Sequence, residues 1–271
     1  MPPYAWALCI FGGLLLVLAV AYLFMIKPAR RVDMTKFGTK FAHRGLWDAT
    51  SPENSLAAFC KALEAGYGIE FDIHKTRDGQ VVVFHDDTLT RMCGVEGRVE
   101  DKTLAELKEL RLLDTDQQIP TLDEMLALVD GRVPLLVELK GESTATTLCP
   151  LADAILSQYK GDYIIESFNP LLVRWYKKNC PEVVRGQLFC NLNKDQKPKK
   201  LIYSMITALL TNVLARPHFL ARGQDSARNP SLLLCKHLFR APVLVWTVRA
   251  QNEIPADTRD GIIFEGFIPK D

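Results

Sequence analysis

Gly68-Ile69-Glu70-Phe71-Asp72-Ile73-His74, followed after a short gap by Gln80-Val81-Val82-Val83-Phe84-His85-Asp86, decides how this chain folds. Apolar and polar residues alternate strictly from Ile69 to His74, the two-residue period of a β-strand. Glu70, Asp72 and His74 therefore share one face, and Ile69, Phe71 and Ile73 the other. Two carboxylates stacked on one face repel each other and are costly to bury unless a cation or hydrogen-bond donors offset them. A hard divalent ion bound by oxygen ligands meets that need. An isolated Glu-x-Asp reads more readily as a solvated acidic face, but this pair is not isolated.

Upstream, Phe41-Ala42-His43-Arg44-Gly45 closes a short strand with a His, an Arg and a flexible Gly. Downstream, Pro134-Leu135-Leu136-Val137-Glu138-Leu139-Lys140 is a further apolar run with Glu138 and Lys140 on one face. Together the three strand ends offer His43 and His85 to exchange protons, Glu70, Asp72 and Glu138 for a metal, and Arg44 and Lys140 for an anion. Hydrolysis of a phosphate ester needs this set: a Lewis acid on a phosphoryl oxygen, a base for the nucleophile, an acid for the leaving alkoxide and cations for the charge.

The order His43-Arg44-Gly45, Pro52-Glu53-Asn54-Ser55, Glu70-Phe71-Asp72, Thr76-Arg77-Asp78-Gly79, Val83-Phe84-His85-Asp86, Ile119-Pro120-Thr121-Leu122 and Glu138-Leu139-Lys140 resembles the signature of the glycerophosphodiester phosphodiesterase family. Trp246-Thr247-Val248 and Asp260-Gly261-Ile262-Ile263 fit that family's closing strands. The resemblance implies a TIM-like (β/α)8 barrel, a divalent ion (Mg²⁺ or Ca²⁺), and cleavage of a glycerophosphodiester to an alcohol and glycerol 3-phosphate. It also implies a small inserted lobe over the substrate mouth, about residues 87–118, a rim position for Glu53, and a Trp246 ring facing the glycerol moiety. The chain departs from the pattern where many relatives continue into Thr-Asp-x-Pro. Here Phe264-Glu265-Gly266-Phe267-Ile268-Pro269 follows, so a rim contact is expected to differ.

A chain of 271 residues with 48% hydrophobic content accommodates one domain of barrel size, and a formal charge of +1 gives no reason to expect a nucleic-acid partner. Seven Cys, an odd number without a CxxC pair, read as reduced thiols rather than a disulfide framework.

Residues 5–26 carry no charge and are rich in Leu, Val, Ala and Phe. At the helical rise they span roughly 33 Å, enough for a hydrocarbon core. Met1-Pro2-Pro3-Tyr4 lacks the basic opening of a signal peptide, although Ala19-Val20-Ala21 has the small residues of a cleavage site; a retained single-pass anchor is the expectation. Lys27, Arg30, Arg31, Lys36 and Lys40 follow it, which by the positive-inside rule places the catalytic part in the cytoplasm. The expected division is 1–32, anchor and basic tether suited to anionic headgroups, and 33–271, catalytic barrel.

Beyond that core the chain alternates. Strands are expected near residues 40, 70, 135, 164, 185, 220, 245 and 263, with Val81–Phe84 left over as a local hairpin partner, and helices between them. A helix follows Glu53 and Asn54, with Asn54 or Ser55 as its cap. Further helices are expected over 102–110, from Thr121 or Asp123 to 129, over 143–159, over 170–178 behind an Asn169 cap, over 201–214, and over 230–239. The 201–214 stretch, too short to span a bilayer and preceded by Lys194, Lys197, Lys199 and Lys200, reads as a core helix or one lying on a membrane. Glu166 reads as an ordinary buried carboxylate, and His218 and His237 as structural or surface residues.

The expected chemistry has His43 and His85 as general acid and base, with His85 also a candidate metal ligand, and Arg44 and Lys140 on the phosphate. Direct water attack and attack by a substrate hydroxyl through a cyclic phosphate both remain open. Two other readings compete: a lysophospholipase D or C-like hydrolase of the same fold acting on membrane lipids, and a catalytically silent membrane-bound binding module.

Overall fold

A computed structural model describes residues 3–141, 143–194, 200–255 and 261–270. Nine strands form one sheet: β1 Lys40–His43, β2 Gly68–Lys75, β3 Val81–Val83, β4 Leu135–Leu139, β5 Tyr163–Ser167, β6 Arg185–Phe189, β7 Phe219–Gly223, β8 Val243–Val248 and β9 Gly261–Phe264. Eight of them pair in parallel, and β1 meets both β2 and β9, so the sheet closes into a TIM barrel. β3 is the exception. It folds back antiparallel on the end of β2, as the turn at Asp78-Gly79 leads one to expect.

The two-residue period sorts the side chains into layers. Phe41, Leu136, Ile164, Leu188, Phe219, Leu244 and Ile263 fill the barrel interior, while Ile69, Phe71, Ile73, Val137 and Ile165 face outward beneath the helices. Gly186 makes the interior packing feasible, because a Cβ there would lie 2.3 Å from the Phe219 ring. One layer above Leu136 and Ile164, in register, come Asp72, Glu138 and Glu166. Carboxylates therefore cap an apolar barrel at the C-terminal ends of its strands. A separate apolar cluster of Val82, Phe84, Leu89, Met92, Val99, Leu107, Leu112 and Ile119 holds the lobe inserted after β3.

Local chemistry sets the helix boundaries. Ser55 accepts from the Ala58 amide and caps Leu56–Glu64, and Thr103 and Thr121 form capping boxes with Glu106 and Glu124. Asn169 and Asn229 cap helices that open on Pro170 and Pro230. The expected helix over 102–110 shortens to Leu104–Lys108. That over 143–159 begins only at Leu148, because the carbonyls of Gly141 and Ser143 are taken by the Asn169 amide. The expected helix over 201–214 is two short ones, Leu201–Thr207 and Asn212–Ala215, broken at Leu209 with φ 57°. Among the described residues between β8 and β9 the one helical element is a 3-10 turn, Gln251–Glu253; Asp260, like Lys197 and Lys199, falls outside the described residues.

The N-terminal helix Pro3–Ile26 is long and apolar enough to cross a membrane, and only its last turn touches the barrel. Ile26 is fully buried, its carbonyl accepts from Asn212 Nδ2 at 2.8 Å, and the Tyr22 hydroxyl lies 2.7 Å from Ser231 Oγ. The basic segment that follows is held against the barrel. Ala29 N–H donates to Pro217 O and Lys36 pairs with Asp162 at 2.7 Å, which carries it across the N-terminal end of the barrel. All seven cysteines are unpaired.

Candidate active site

β1 delivers His43, β2 delivers Glu70 and Asp72, β4 delivers Glu138 with Lys140 just beyond, and β3 leads into His85. Cross-strand register puts His43 beside Glu70 and Asp72 beside Glu138. One ligand oxygen from each of Glu70, Asp72 and Glu138 lies within 4.8 Å of the others, and all three residues are buried. Oxygens about 2.3–2.6 Å from a common Ca²⁺ lie within such a span.

Two cations offset part of this charge. Lys140 Nζ lies 2.8 Å from Asp72 Oδ1 and 2.7 Å from Glu138 Oε1; Arg44 Nε lies 3.4 Å from Asp72 Oδ2, and its Nη1 donates to Glu53 Oε1 at 2.7 Å. The offset is incomplete. Burial, then the charges of Asp72 and Glu138, push Glu70 well above the usual carboxylate range, and burial pushes Glu138 up to about 7 against the pull of Lys140. Asp72 goes the other way: burial opposes ionisation, but Lys140, His85 and Arg44 hold it well below the usual range. Beside them Glu166 is 1% exposed with Oε2 unpartnered, and burial raises it strongly. The donor set is hard, all-oxygen and short of positive charge, which fits a divalent cation.

The backbone here is bent to serve the site. Arg44 and Asn54 have φ 58° and 57°, uncommon for residues with side chains. Arg44 N–H is held by both Glu70 O at 2.9 Å and Glu70 Oε2 at 3.0 Å. Gly45, at φ 84°, brings the loop against the first helical turn, where a Cβ would sit 2.8 Å from the Ala58 carbonyl carbon. Asn54, one of two expected caps, instead donates its amide to Asp72 Oδ2 at 2.8 Å.

Each imidazole is oriented by a carboxylate. His43 Nδ1 lies 2.5 Å from Glu265 Oε2, and His85 Nδ1 lies 2.5 Å from Asp86 Oδ1. An ionised carboxylate only accepts, so Nδ1 carries the proton and Nε2 of the neutral ring offers its lone pair. His43 Nε2 is 4.0 Å from Glu70 Oε2. Burial lowers both imidazoles, His85 to about 4, so both are neutral at pH 7.

Behind each carboxylate stands an arginine. Arg249 donates to Glu265 at 2.6 Å, and Arg91 bridges Asp86 and Glu53 through four hydrogen bonds. Against burial, His43 and Arg249 hold Glu265 near 2, and Arg91 and His85 hold Asp86 near 2. Glu53 thus ties Arg44 to Arg91. Trp246 donates Nε1–H to Ala221 O at 3.1 Å and packs edge-on against Phe168 with ring centroids 5.5 Å apart. His74 meets the His85 carbonyl through Nε2 at 3.2 Å, and His218 Nδ1 accepts from Arg185 N–H.

The catalytic, phosphate and metal candidates from the sequence converge, with Glu53 one contact behind on Arg44 and Trp246 packed on Phe168 and Ala221. Glu265, Asp86, Arg91 and the bond from Asn54 were missed. Glu265 had a signal, a carboxylate just past the closing strand at the point where the family pattern breaks, and Asp86 sat inside a quoted motif. Arg91 had none.

The profile of the Glycerophosphoryl diester phosphodiesterase family matches residues 43–262. A glycerophosphodiester phosphodiesterase of Caldanaerobacter subterraneus subsp. tengcongensis is 37% identical over 166 residues, covering 56% of this chain and 67% of that protein. A lysophospholipase D of Rattus norvegicus is 24% identical over 284 residues, covering 91% of this chain and 89% of its own. For five bacterial relatives the matched stretch takes in between 40% and 67% of the relative's length. Among solved structures, an Oleispira antarctica phosphodiesterase in complex with the product sn-glycerol-3-phosphate superposes with a TM-score of 0.69 at 23% identity, covering 84% of this chain and 93% of that one, a likeness of fold.

Proposed function

Because the chain belongs to the glycerophosphoryl diester phosphodiesterase family, we propose that it hydrolyses glycerophosphodiesters to an alcohol and glycerol 3-phosphate. The observation that carries this reading is the pairing of the buried Glu70, Asp72 and Glu138 cluster with two imidazoles, each tied at Nδ1 so that Nε2 serves the site.

Glu70, Asp72 and Glu138 would hold the divalent ion, Mg²⁺ or Ca²⁺, which supplies Lewis-acid polarisation of a phosphoryl oxygen when bound. Of His43 and His85, one takes the proton of the nucleophile at Nε2; the other acts as acid only once Nε2 is protonated beside the bound phosphodiester, whose negative charge favours the imidazolium, and it gives that proton to the leaving alkoxide. Lys140, whose ammonium has three donors, and Arg44 stabilise the charge that grows on phosphorus oxygens. Glu53 holds Arg44 in place, and Trp246 walls the side where the glycerol moiety lies. A binding module has no use for an oriented acid–base pair, which argues against the silent alternative.

The proposed organisation is an anchor and tether over 1–32 and a catalytic barrel over 33–271, with the basic residues after the apolar helix placing the barrel in the cytoplasm. The buried seat of Ile26 makes the full chain the proper sample. In detergent micelles with Mg²⁺ or Ca²⁺ it should release glycerol 3-phosphate from glycerophosphocholine, lose that activity with chelator, and regain it when metal is restored. Absence of release from folded, metal-supplemented protein would turn the reading to the lysolipid-hydrolase alternative, and failure to cleave lysolipids as well would leave the binding module. A cyclic glycerophosphate appearing first would identify attack by a substrate hydroxyl.

A further inference from the structure

The N-terminal helix leaves the barrel at the end that carries the mouth. Its own C-terminal end is pinned toward the opposite end: Arg216 Nη1 donates to Phe24 O at 2.8 Å and to Lys27 O at 2.6 Å, and Ala29 N–H donates to Pro217 O, just before β7 begins. Tyr22 meets Ser231 in the first turn of the helix Pro230–His237, and Ile26 O accepts from Cys235 Sγ one turn further on. The two helices therefore run the same way. Pro230–His237 follows β7 and descends from the C-terminal ends of the strands toward their N-terminal ends. Everything before Tyr22 thus projects past the C-terminal ends, from Pro3 about 28 Å at the helical rise, close to one hydrocarbon core.

The surface beside that exit is apolar and basic. Thr207, at the end of the helix Leu201–Thr207, donates from Oγ1 to Cys190 O just past β6, and its carbonyl accepts from Asn229 Nδ2 at the head of Pro230–His237. From there the chain continues down the side of the barrel to Asn212, which donates to Ile26 O. The helix therefore descends to the level of the strand ends, and Leu201 at its outer end stands about 9 Å farther out at the helical rise. Leu201 is 77% exposed, and Ile202 beside it is exposed as well. Lys194 and Lys200 flank the pair, with Lys200 Nζ over the Tyr203 ring at 4.8 Å from its centroid. Across the mouth Trp47, just past β1, is also exposed. Single exposed hydrophobic residues are ordinary, and Leu238, at the far end of Pro230–His237, is one. An exposed aliphatic pair between lysines, with a Trp on the opposite rim, has instead the composition of a surface that sits in the headgroup layer of an anionic bilayer.

We propose that this end of the barrel docks on the bilayer that the N-terminal helix spans, with Leu201 and Ile202 in the headgroup layer, Lys194 and Lys200 on anionic lipid, and Trp47 at the opposite rim. No flexible linker intervenes, because Pro3–Ile26 is one continuous helix that ends on the buried Ile26. The helix exit and the apolar patch are therefore held near one level, and the patch reaches the lipid surface without a hinge. The dock states where the barrel sits, and it rests on the helix as a membrane anchor, independently of the hydrolase reading.

The test uses the full chain in nanodiscs of mixed phosphatidylcholine and phosphatidylglycerol, with lipid brominated near the headgroup end of its acyl chains as quencher. A fluorescent amino acid replaces Leu16, Leu201 or Leu238 in turn; all three side chains are exposed, so the fold tolerates the exchange. Position 16 reports the span, 201 the dock and 238 the far end of the barrel. Quenching at 16, and quenching at 201 at least threefold stronger than at 238, is the expected result. Lys194→Glu with Lys200→Glu should then cut quenching at 201 at least twofold and leave 16 unchanged; no reduction would overturn the part given to the lysines. Equal quenching at 201 and 238 with 16 quenched would overturn the dock and leave the anchor and the hydrolase standing. Shielding of 201 from aqueous iodide without quenching by the brominated lipid would assign the patch to a second copy of the chain, and overturn the dock likewise. Absence of quenching at 16 would remove the anchor, and the dock with it.

Discussion

Replacing Glu265 with Gln isolates the most consequential contact that the sequence did not announce. The carboxylate sits 2.5 Å from His43 Nδ1 and is itself pinned by Arg249. A hydrogen bond to a charged partner contributes about 1.5–3 kcal/mol net against about 0.5–1.5 for a neutral one, so the exchange costs about 1–2 kcal/mol. Expressed wholly in the transition state, that is roughly a 5- to 30-fold loss in kcat. A Gln that turns its amide nitrogen toward Nδ1 would move the ring proton to Nε2, and the loss would grow toward about 10⁴-fold, as when the orienting Asp of a serine protease triad becomes Asn. The assay is kcat/KM against pH for the wild-type chain, Glu265→Gln and Glu265→Ala, with thermal unfolding in parallel. Burial lowers the His43 pKa while Glu265 raises it, so removing the charge lowers it further. One limb of the pH profile should move down in pH. Movement of the acid limb names His43 as the base, and movement of the alkaline limb names it as the acid. Activity within about threefold of wild type with an unmoved profile would refute the assignment.

The same residue carries a stability signature. Its folded-state pKa of about 2 lies below the ordinary 4.5, so its contribution is fully present above that ordinary value and is lost as pH falls toward 2. At about 1.36 kcal/mol per unit this is on the order of 3 kcal/mol, and acid unfolding of Glu265→Gln should be correspondingly flatter over that window. Replacing His43 or His85 with Ala should lower kcat by about 10²–10⁴ with circular dichroism unchanged; near-normal turnover would remove that residue from proton transfer. Asn54→Ala removes the donor on Asp72 Oδ2, and calorimetric titration should find Mg²⁺ or Ca²⁺ bound about 10- to 100-fold more weakly; unchanged affinity would mean that Asn54 serves only the turn. Gly45→Ala forces a Cβ into the Ala58 backbone at positive φ, and a melting temperature that does not fall would contradict the described loop.

The sequence by itself determined the barrel, because strand and helix periods are local properties and their alternation leaves few topologies. It also indicated which carboxylates and imidazoles the fold brings together: Glu70 and Asp72 announce themselves by sharing a strand face, and His43, His85, Glu138 and Lys140 by standing near strand ends. It overestimated the helices over 143–159 and 201–214, whose limits depend on distant groups, the Asn169 amide in one case and the buried bond from Asn212 to Ile26 in the other. What only the tertiary structure decided are relations between residues far apart in the chain. Glu265 orients His43 from 222 positions away, Arg91 joins two loops, and Asn54 serves Asp72 rather than its own helix. The direction of the N-terminal helix belongs in the same group. Its composition says that it is long and apolar enough to cross a membrane, but only its packing beside Pro230–His237 sets the direction in which it leaves the barrel, because orientation comes from long-range contacts that no local pattern encodes.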